Sequence, residues 1–335
     1  MLSAAEEVKV DGTVTGLGTI SLVSGGKTTL TTRADVVSGA SDIQIRAGSL
    51  AMEDDGTDAA RVRSSTGTID IQTAGDAQIT GVESGNGTAD AVRVVSTGGR
   101  VLDAGDTRLD VIADSAPAAK LTASGLLGVG SNGNPLDVRV RDLNVSSANG
   151  SVAVSAVGDV NVDAVVAGDA VALTASGNIT GDSVSSTGSG TQGPDKSVQV
   201  TSSGGSVVLA SVSGQQGVRV DGVDGVDLGT VSSTNGSVAL VSGAGDVKSG
   251  TAQAGQDVTM TALAGSISAD KTTATGGNVD LSALNGVVAA TTVAGGKVSV
   301  NSSSGSARLT DVTAGGDVGV KGNTGVDVGT ANATA

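Results

Sequence analysis

The sequence predicts an all-β fold, a right-handed parallel β-helix (β-solenoid) with three short strands in each coil of about 20 residues. Three observations lead to this fold class. An apolar-x-apolar pair recurs at a nearly constant spacing, a glycine follows each pair at a nearly fixed offset, and the chain contains no Phe, Trp, Tyr, His or Cys. A constant phase of this length is typical of stacked repeats and not of a β-sandwich.

The apolar pair predicts the first strand of each coil in the second half of the chain. Alternation of the form V-x-V places both valines on one face of a strand, so both can face an interior. Successive pairs are separated by 19, 27, 20, 20, 20, 21, 19 and 20 residues. The long gap contains GSGTQGPDK (188–196), which we interpret as a surface insertion. The pairs begin at Val152, Val171, Val198, Val218, Val238, Val258, Val279, Val298 and Val318.

Two further apolar segments complete each predicted coil. A glycine, from Gly158 in the first unit to Gly325 in the last, follows the pair by six or seven residues. We expect these glycines to supply the positive φ of a corner. The second segment then begins at Val160, Ile179, Val207, Val226, Val247, Ile267, Val287, Ala307 and Val326. The third is weaker and begins at Val165, Val184, Val212, Val231 and Val312.

The first half of the chain carries the same pattern with longer coils. Its pairs are Ile20/Leu22, Ile43/Ile45, Ile69/Ile71 and Val92/Val94, and we place a further anchor at residues 119–121. The extra residues fall in polar stretches at 52–60 and 82–90, which we expect to be loops. The prediction is a single solenoid over 1–335, with irregular coils in 1–137 and regular coils in 138–335.

Composition excludes several kinds of chemistry. Without Cys or His there is no disulfide, thiolate nucleophile or Ser-His-Asp triad. Acids number 34 against 19 bases, for a net charge of −15, which disfavours nucleic acid as a partner. No apolar run approaches the roughly 18 residues of a membrane helix, so the chain is predicted not to span a membrane. The first residues do not resemble a signal peptide. No catalytic, cofactor-binding or metal-binding residue is predicted.

Three charged or polar patterns have a functional and a structural interpretation. Glu53, Asp54, Asp55 and Asp58 offer oxygens to Ca²⁺, but we favour a solvated loop between coils. Asp221, Asp224 and Asp227 could not all converge if they lay on one strand, because residues three apart on a strand face opposite sides. We therefore expect them at corners, where Asp tolerates turn geometry. Basic residues in the first half suit an anionic glycan or an exposed face that keeps the protein soluble, and we favour the latter. These residues are Arg61, Arg63, Arg93, Arg100, Arg108, Arg139 and Arg141.

The stretch GVGSNGNPLDVRVRDLNVSSANGSVAVSAVGDVNV (128–162) resembles the repeat segment of filamentous-haemagglutinin-like adhesins. The resemblance lies in the phrase Gly133-Asn134-Pro135-Leu136, followed by V-x-V and G-D-V coils. It implies a secreted or surface-exposed protein of a Gram-negative bacterium, exported by two-partner secretion through an outer-membrane transporter barrel. The family's N-terminal secretion domain is not in this sequence, and we therefore expect a segment of a longer protein.

The function predicted is that of a non-enzymatic structural rod in such an adhesin, which spaces or presents binding regions for cell adhesion. Host or bacterial cell-surface glycans or proteins are the expected further partners, and no cofactor is expected. One alternative is a glycan- or surface-binding module. Ice binding by such a module requires a ladder of Thr-x-Thr, and we see none. A β-helix polysaccharide lyase or hydrolase is less favoured, since corner loops of one to three residues are too short to wall a cleft.

Overall fold

A computed structural model describes residues 1–105, 108–188 and 198–334. The chain is a β-solenoid of parallel strands, with about 16 turns of roughly 20 residues each. It divides into two compact units, Met1–Gly168 and Asp169–Ala335. The predicted fold class is thereby confirmed. The described residues contain no helix, and therefore none long and apolar enough to cross a membrane.

The unit Met1–Gly168 has three strands in most of its turns. One ladder joins β1, β4, β7, β10, β13, β16, β19 and β21, and a second strand and a third strand of each turn pair with their equivalents in the next. The strands are β1 (Leu2–Ala4), β2 (Val8–Val10), β3 (Thr13–Gly16), β4 (Ile20–Ser24), β5 (Lys27–Leu30), β6 (Asp35–Ser38), β7 (Ile43–Ala47), β8 (Ser49–Met52), β9 (Arg61–Ser64), β10 (Ile69–Thr73), β11 (Ala77–Ile79), β12 (Val82–Ser84), β13 (Val92–Ser96), β14 (Arg100–Asp103), β15 (Val111–Ala113), β16 (Lys120–Gly125), β17 (Gly128–Val129), β18 (Leu136–Val140), β19 (Asp142–Ser147), β20 (Val152–Ala156) and β21 (Val160–Ala167).

The unit Asp169–Ala335 alternates short and long strands, and each kind forms its own parallel ladder. The strands are β22 (Val171–Ala175), β23 (Ile179–Ser186), β24 (Val198–Ser202), β25 (Ser206–Gly214), β26 (Gly217–Gly222), β27 (Gly225–Ser233), β28 (Ser237–Ser242), β29 (Val247–Ala254), β30 (Val258–Ala262), β31 (Ser266–Ala274), β32 (Val279–Ala283), β33 (Gly286–Ala294), β34 (Val298–Ser302), β35 (Ser306–Ala314), β36 (Val318–Gly322) and β37 (Gly325–Ala333).

Each long strand of the second unit contains both the second and the third predicted segment. In β27, Val226 and Leu228 are buried, Gly229 and Thr230 are both exposed, and Val231 is buried again. Side chains of a straight strand alternate between its two faces, so two consecutive exposed residues mark a bend. The two segments are therefore one continuous strand that turns from one face of the coil to the next.

The predicted anchors pair in register. Val198 lies beside Val218 and Val218 beside Val238, and the series continues through Val258, Val279, Val298 and Val318. The anchors of the first half are also in register, but the anchor predicted at 119–121 lies two residues later in the chain, at 121–123. Leu121 pairs with Val92 and Ala123 with Val94, whereas Ala119 precedes the strand.

The predicted loops are only partly confirmed. Residues 53–60 connect β8 and β9, as expected, but Val82–Ser84 form β12 and the loop begins after them. The predicted insertion at 188–196 lies, apart from Gly188, outside the described residues.

Stacking of the coils in register places small apolar side chains directly on their equivalents one coil away. Val198, Val200 and Val212 are fully buried in this way.

A buried serine joins successive coils at many corners. The Oγ of Ser202 accepts a hydrogen bond from the N–H of Gly205 at 2.9 Å and donates one to the carbonyl oxygen of Gly177 at 2.7 Å. At other corners too, the Oγ of a serine accepts a hydrogen bond from the N–H of the glycine three residues later. These pairs are Ser64/Gly67, Ser96/Gly99, Ser147/Gly150 and Ser233/Gly236. These hydroxyls satisfy backbone groups where the strand ladders are interrupted.

The expected reason for the corner glycines was wrong at most positions. Gly158 has the positive φ that we predicted, 89°, but Gly245 and Gly305 do not. At Gly245 a Cβ would overlap the carbonyl oxygen of Asp224 in the preceding coil. Close approach of two backbones therefore requires glycine at such corners.

Candidate functional site

A groove opens at one corner of the unit Met1–Gly168, where the corner loops differ in length. Residues 53–60 form a long loop between β8 and β9, and at the corresponding corner β14 ends at Asp103 and β15 begins at Val111. The coil between them turns with only Thr80 and Gly81. This difference leaves a groove of about 390 Å³, lined among others by Arg61, Arg63, Glu83 and Arg108. The expectation that corner loops are too short to wall a cleft is wrong here.

The three arginines of the groove differ in their partners. Arg63 donates from Nε and Nη2 to the two oxygens of Asp35, at 3.2 and 2.6 Å, and this hydrogen bonding raises the pKa of Arg63. Arg108 donates to the carbonyl oxygen of Thr57 at 2.6 Å. The Nε of Arg108 also lies 3.7 Å from Oδ2 of the buried Asp54.

Arg61 and Glu83 supply the other two charges of the groove. Within the described ranges, the side chain of Arg61 forms no ion pair or hydrogen bond, and neither does the carboxylate of Glu83. Both side chains are exposed. Glu83 lies on β12 in register with Arg63 of β9. The groove therefore presents a guanidinium and a carboxylate that form no ion pair or hydrogen bond of their own, although Asp35 lies in register with Arg61 and the charge of Glu83 raises the pKa of Arg63.

The acidic loop next to the groove binds its own backbone. Asp54 accepts the N–H of Gly56 at 2.6 Å, and one oxygen of Asp55 accepts the N–H groups of Thr57 and Asp58 at 2.9 and 2.8 Å. The hydrogen bonds from Asp58 and Thr57 lower the pKa of Asp55. Over the residues that the structure describes, no three acidic side chains converge as metal ligands. This geometry agrees with a loop between coils.

Most other arginines of the first half join neighbouring coils. Asp70 lies between Arg46 and Arg93, with a 2.6 Å contact to the first and a 3.0 Å contact to the second. Arg139 pairs with Asp114 at 2.6 Å. Arg93 and Arg139 lie on the outer face of their strands, as predicted. For Arg100 and Arg141 no ion pair is found within the described part of the chain.

The Gly-Asn-Pro-Leu phrase also lies at this loop-bearing corner. Ser131 and Asn134 exchange two backbone hydrogen bonds, at 2.9 and 3.0 Å, which close the loop between β17 and β18. Leu136 then begins β18 and is fully buried. The phrase is therefore a turn followed by a core residue.

The aspartates of VDGVDGVDLG were only partly placed correctly. Asp224 lies in the turn between β26 and β27, as expected for a corner. Asp221, by contrast, is on β26 and pairs with Arg219 at 2.7 Å. Asp227 is on β27, exposed, in register with Lys248 of β29. Two of the three are strand residues because a strand accepts Asp wherever the side chain faces outward.

Hydroxyl side chains align in the second unit, where the sequence showed no ladder. One outward column contains Ser183, Ser211, Thr230, Thr251, Lys271, Thr291, Asp311 and Thr330. The column beside it contains Ser185, Ser213, Ser232, Gln253, Thr273, Val293, Thr313 and Asn332. No described coil has Thr at both positions, so a Thr-x-Thr array is not formed.

Comparisons of the chain with protein families, with curated proteins and with solved structures found no significant match.

Proposed function

We propose that the chain is a non-enzymatic structural scaffold in a secreted or surface-exposed, adhesin-like exoprotein of a Gram-negative bacterium. In this role it spaces or presents the regions that bind other cells. The observation that carries the proposal is that outward charged side chains form ion pairs between neighbouring coils. Asp70, for example, contacts both Arg46 and Arg93. Side chains committed in this way stabilise the stack and are not available to a partner.

Export also fits the chemistry of the chain. A protein without Cys forms no disulfide that would hold it folded during passage through an outer-membrane transporter. In a solenoid each coil contacts mainly its neighbours, so folding can begin at one coil and propagate to the next. A chain of this kind folds outside the cell without a disulfide-forming partner.

A second candidate is a binding module for a glycan or another surface. The groove with Arg61 and Glu83 favours it, since both charges line one concave surface and neither is held by an ion pair or hydrogen bond of the described residues. A polysaccharide lyase or hydrolase is less favoured. Glycoside hydrolysis uses a pair of carboxylates, and Glu83 is the one carboxylate among the described residues that line the groove.

The scaffold role is tested in the source bacterium. Antibodies against the chain should label intact cells or the culture medium, and in-frame removal of residues 1–335 should reduce adhesion to surfaces or other cells. A matched strain has Thr259, Ser299 and Asn301, which face outward on their strands, replaced by Ala. It should adhere normally because a scaffold does not depend on those side chains. Retention of the chain inside the cell, or normal adhesion after its removal, would contradict the proposal.

A further inference from the structure

We propose that the groove at the loop-bearing corner binds a carboxylate-bearing saccharide of the uronic-acid type, with Arg61 as the partner of the carboxylate. This names the ligand class of the second candidate, the binding module, and rests on it. It does not rest on the scaffold role, because the residues that line the groove all belong to the unit Met1–Gly168.

The charges define what the ligand must carry. Arg61 forms no ion pair among the described residues, while Arg63 and Arg108 are held by Asp35 and Asp54. A carboxylate in the groove therefore meets one guanidinium that no carboxylate of the folded chain holds, and its planar fork matches a carboxylate in a bidentate geometry. Glu83 offers an acceptor that is also unused, and it requires a donor from the ligand. Sugar hydroxyls are donors of this kind.

The wall of the groove suits a sugar ring. Leu109 and Ile112 line one side and are partly exposed, and Ala59 lines the other. A sugar presents C–H groups on one face and hydroxyls around its edge, so it can contact this wall while its polar groups reach Glu83. The volume of about 390 Å³ lies in the range of small-molecule sites, about 300–1,000 Å³.

The neighbouring arginines are fixed before a ligand arrives. Arg63 is held by two hydrogen bonds to Asp35, and Arg108 by Thr57 and Asp54. Preorganised groups lose little conformational freedom on binding. Because both are already paired with a carboxylate, they shape the groove around Arg61 and do not compete with it for the ligand.

The test is calorimetric titration of the full chain with trigalacturonate, with neutral maltotriose as the matched ligand. Trigalacturonate should bind and maltotriose should not, and binding should weaken as salt is raised. Arg61→Gln should weaken binding at least tenfold. Arg141→Gln removes an exposed arginine of the same unit outside the groove, and it should leave the affinity within about twofold of the unmodified chain. Far-UV circular dichroism of both variants should match the unmodified chain.

Three outcomes would overturn the inference. If trigalacturonate does not bind, uronic-acid saccharides are not ligands of the groove. If maltotriose binds equally well, the carboxylate is not the group that the groove recognises. Equal losses in Arg61→Gln and Arg141→Gln indicate a diffuse electrostatic attraction and no site. Each of these results leaves the cell-surface tests of the scaffold role unaffected, so the two proposals fail separately.

Discussion

Gly305 faces the carbonyl oxygen of Asn285, one coil earlier, so closely that a Cβ at position 305 would overlap it. The backbone around both residues is hydrogen-bonded to the preceding coil, since the N–H of Asn285 donates to the carbonyl oxygen of Gly265 and the N–H of Ser304 to that of Leu284. The corner backbones thus stack directly on one another. Glycine is required there for space, and its backbone conformation at this position is an ordinary one.

Replacement of Gly305 by Ala should therefore destabilise the chain. One methyl group forces two coils apart at a tight contact, which costs about 1–3 kcal/mol. Gly319→Ala is the control, because the nearest atom to its Cβ is a backbone oxygen 4.0 Å away. Urea unfolding followed by far-UV circular dichroism should show a lower midpoint for Gly305→Ala only. Equal midpoints for the two variants would contradict the close-approach explanation.

Thr272 and Thr292 lie one above the other inside the second unit, and both are fully buried. Their hydroxyls have no hydrogen-bond partner in the part of the chain that the structure describes. Valine has nearly the same shape without the polar group. Each Thr→Val change should therefore stabilise the chain by about 1 kcal/mol.

The measurement is again urea unfolding, with Thr291→Val as the control. Thr291 lies beside Thr292 in the sequence but faces outward on the same strand, so its replacement should shift the free energy of unfolding by less than about 0.5 kcal/mol. The double variant Thr272→Val/Thr292→Val measures the coupling between the two sites, since residues in contact need not be additive. A loss of stability in both single variants would show that the hydroxyls are satisfied.

The contribution of Asp55 to the stability of the folded chain should decrease as the pH is lowered. The N–H groups of Asp58 and Thr57 lower its pKa from the ordinary value of 3.8. Because the pKa is lower in the folded chain, the contribution of Asp55 to stability is complete above the unfolded pKa. It is lost as the pH falls through the folded pKa.

Carboxyl ¹³C NMR should therefore titrate Asp55 below 3.8. The stability difference between the unmodified chain and Asp55→Ala should shrink in the same acidic range. Asp55→Asn is the matched variant, because an amide oxygen accepts the same two N–H groups without a charge. It should retain the loop and lose the pH dependence. A titration of Asp55 at its ordinary value would contradict the hydrogen bonds of the turn.

The sequence predicted the coil and its register but not which faces correspond between the two halves. The Ile20/Leu22 series lies on the ladder of β4, β7 and β10, whereas the Val198 series lies on the short strands of the second unit. An apolar-x-apolar pair has the same form on every face of a coil. Only the backbone pairing distinguishes one face from another.

The groove and the hydroxyl columns were missed because their members are far apart in the chain. Arg61, Glu83 and Arg108 lie on three successive coils, and only a comparison of corner-loop lengths at equivalent positions would have placed them together. Likewise Thr230 and Thr251 are in register although their sequence contexts differ. Residues on coils of unequal length can be recognised as neighbours only after the register between those coils is known.

The register of the second unit also predicts that a whole coil can be removed. Val238 pairs with Val258, so deletion of residues 238–257 places Val258 where Val238 stood, beside Val218. In the same way Ile267 replaces Val247 beside Val226. Since coils interact mainly with their neighbours, the shortened chain should fold with nearly the same thermal midpoint.

Deletion of residues 238–247 is the matched control. It joins Ser237 to Lys248, which then occupies the inward position of Val238 and would bury an unpaired charge. This variant should lose the cooperative transition of the second unit in far-UV circular dichroism, while the longer deletion keeps it. Equal loss of structure in both would mean that the coils are not interchangeable, and that side-chain differences between them determine the stability of the stack.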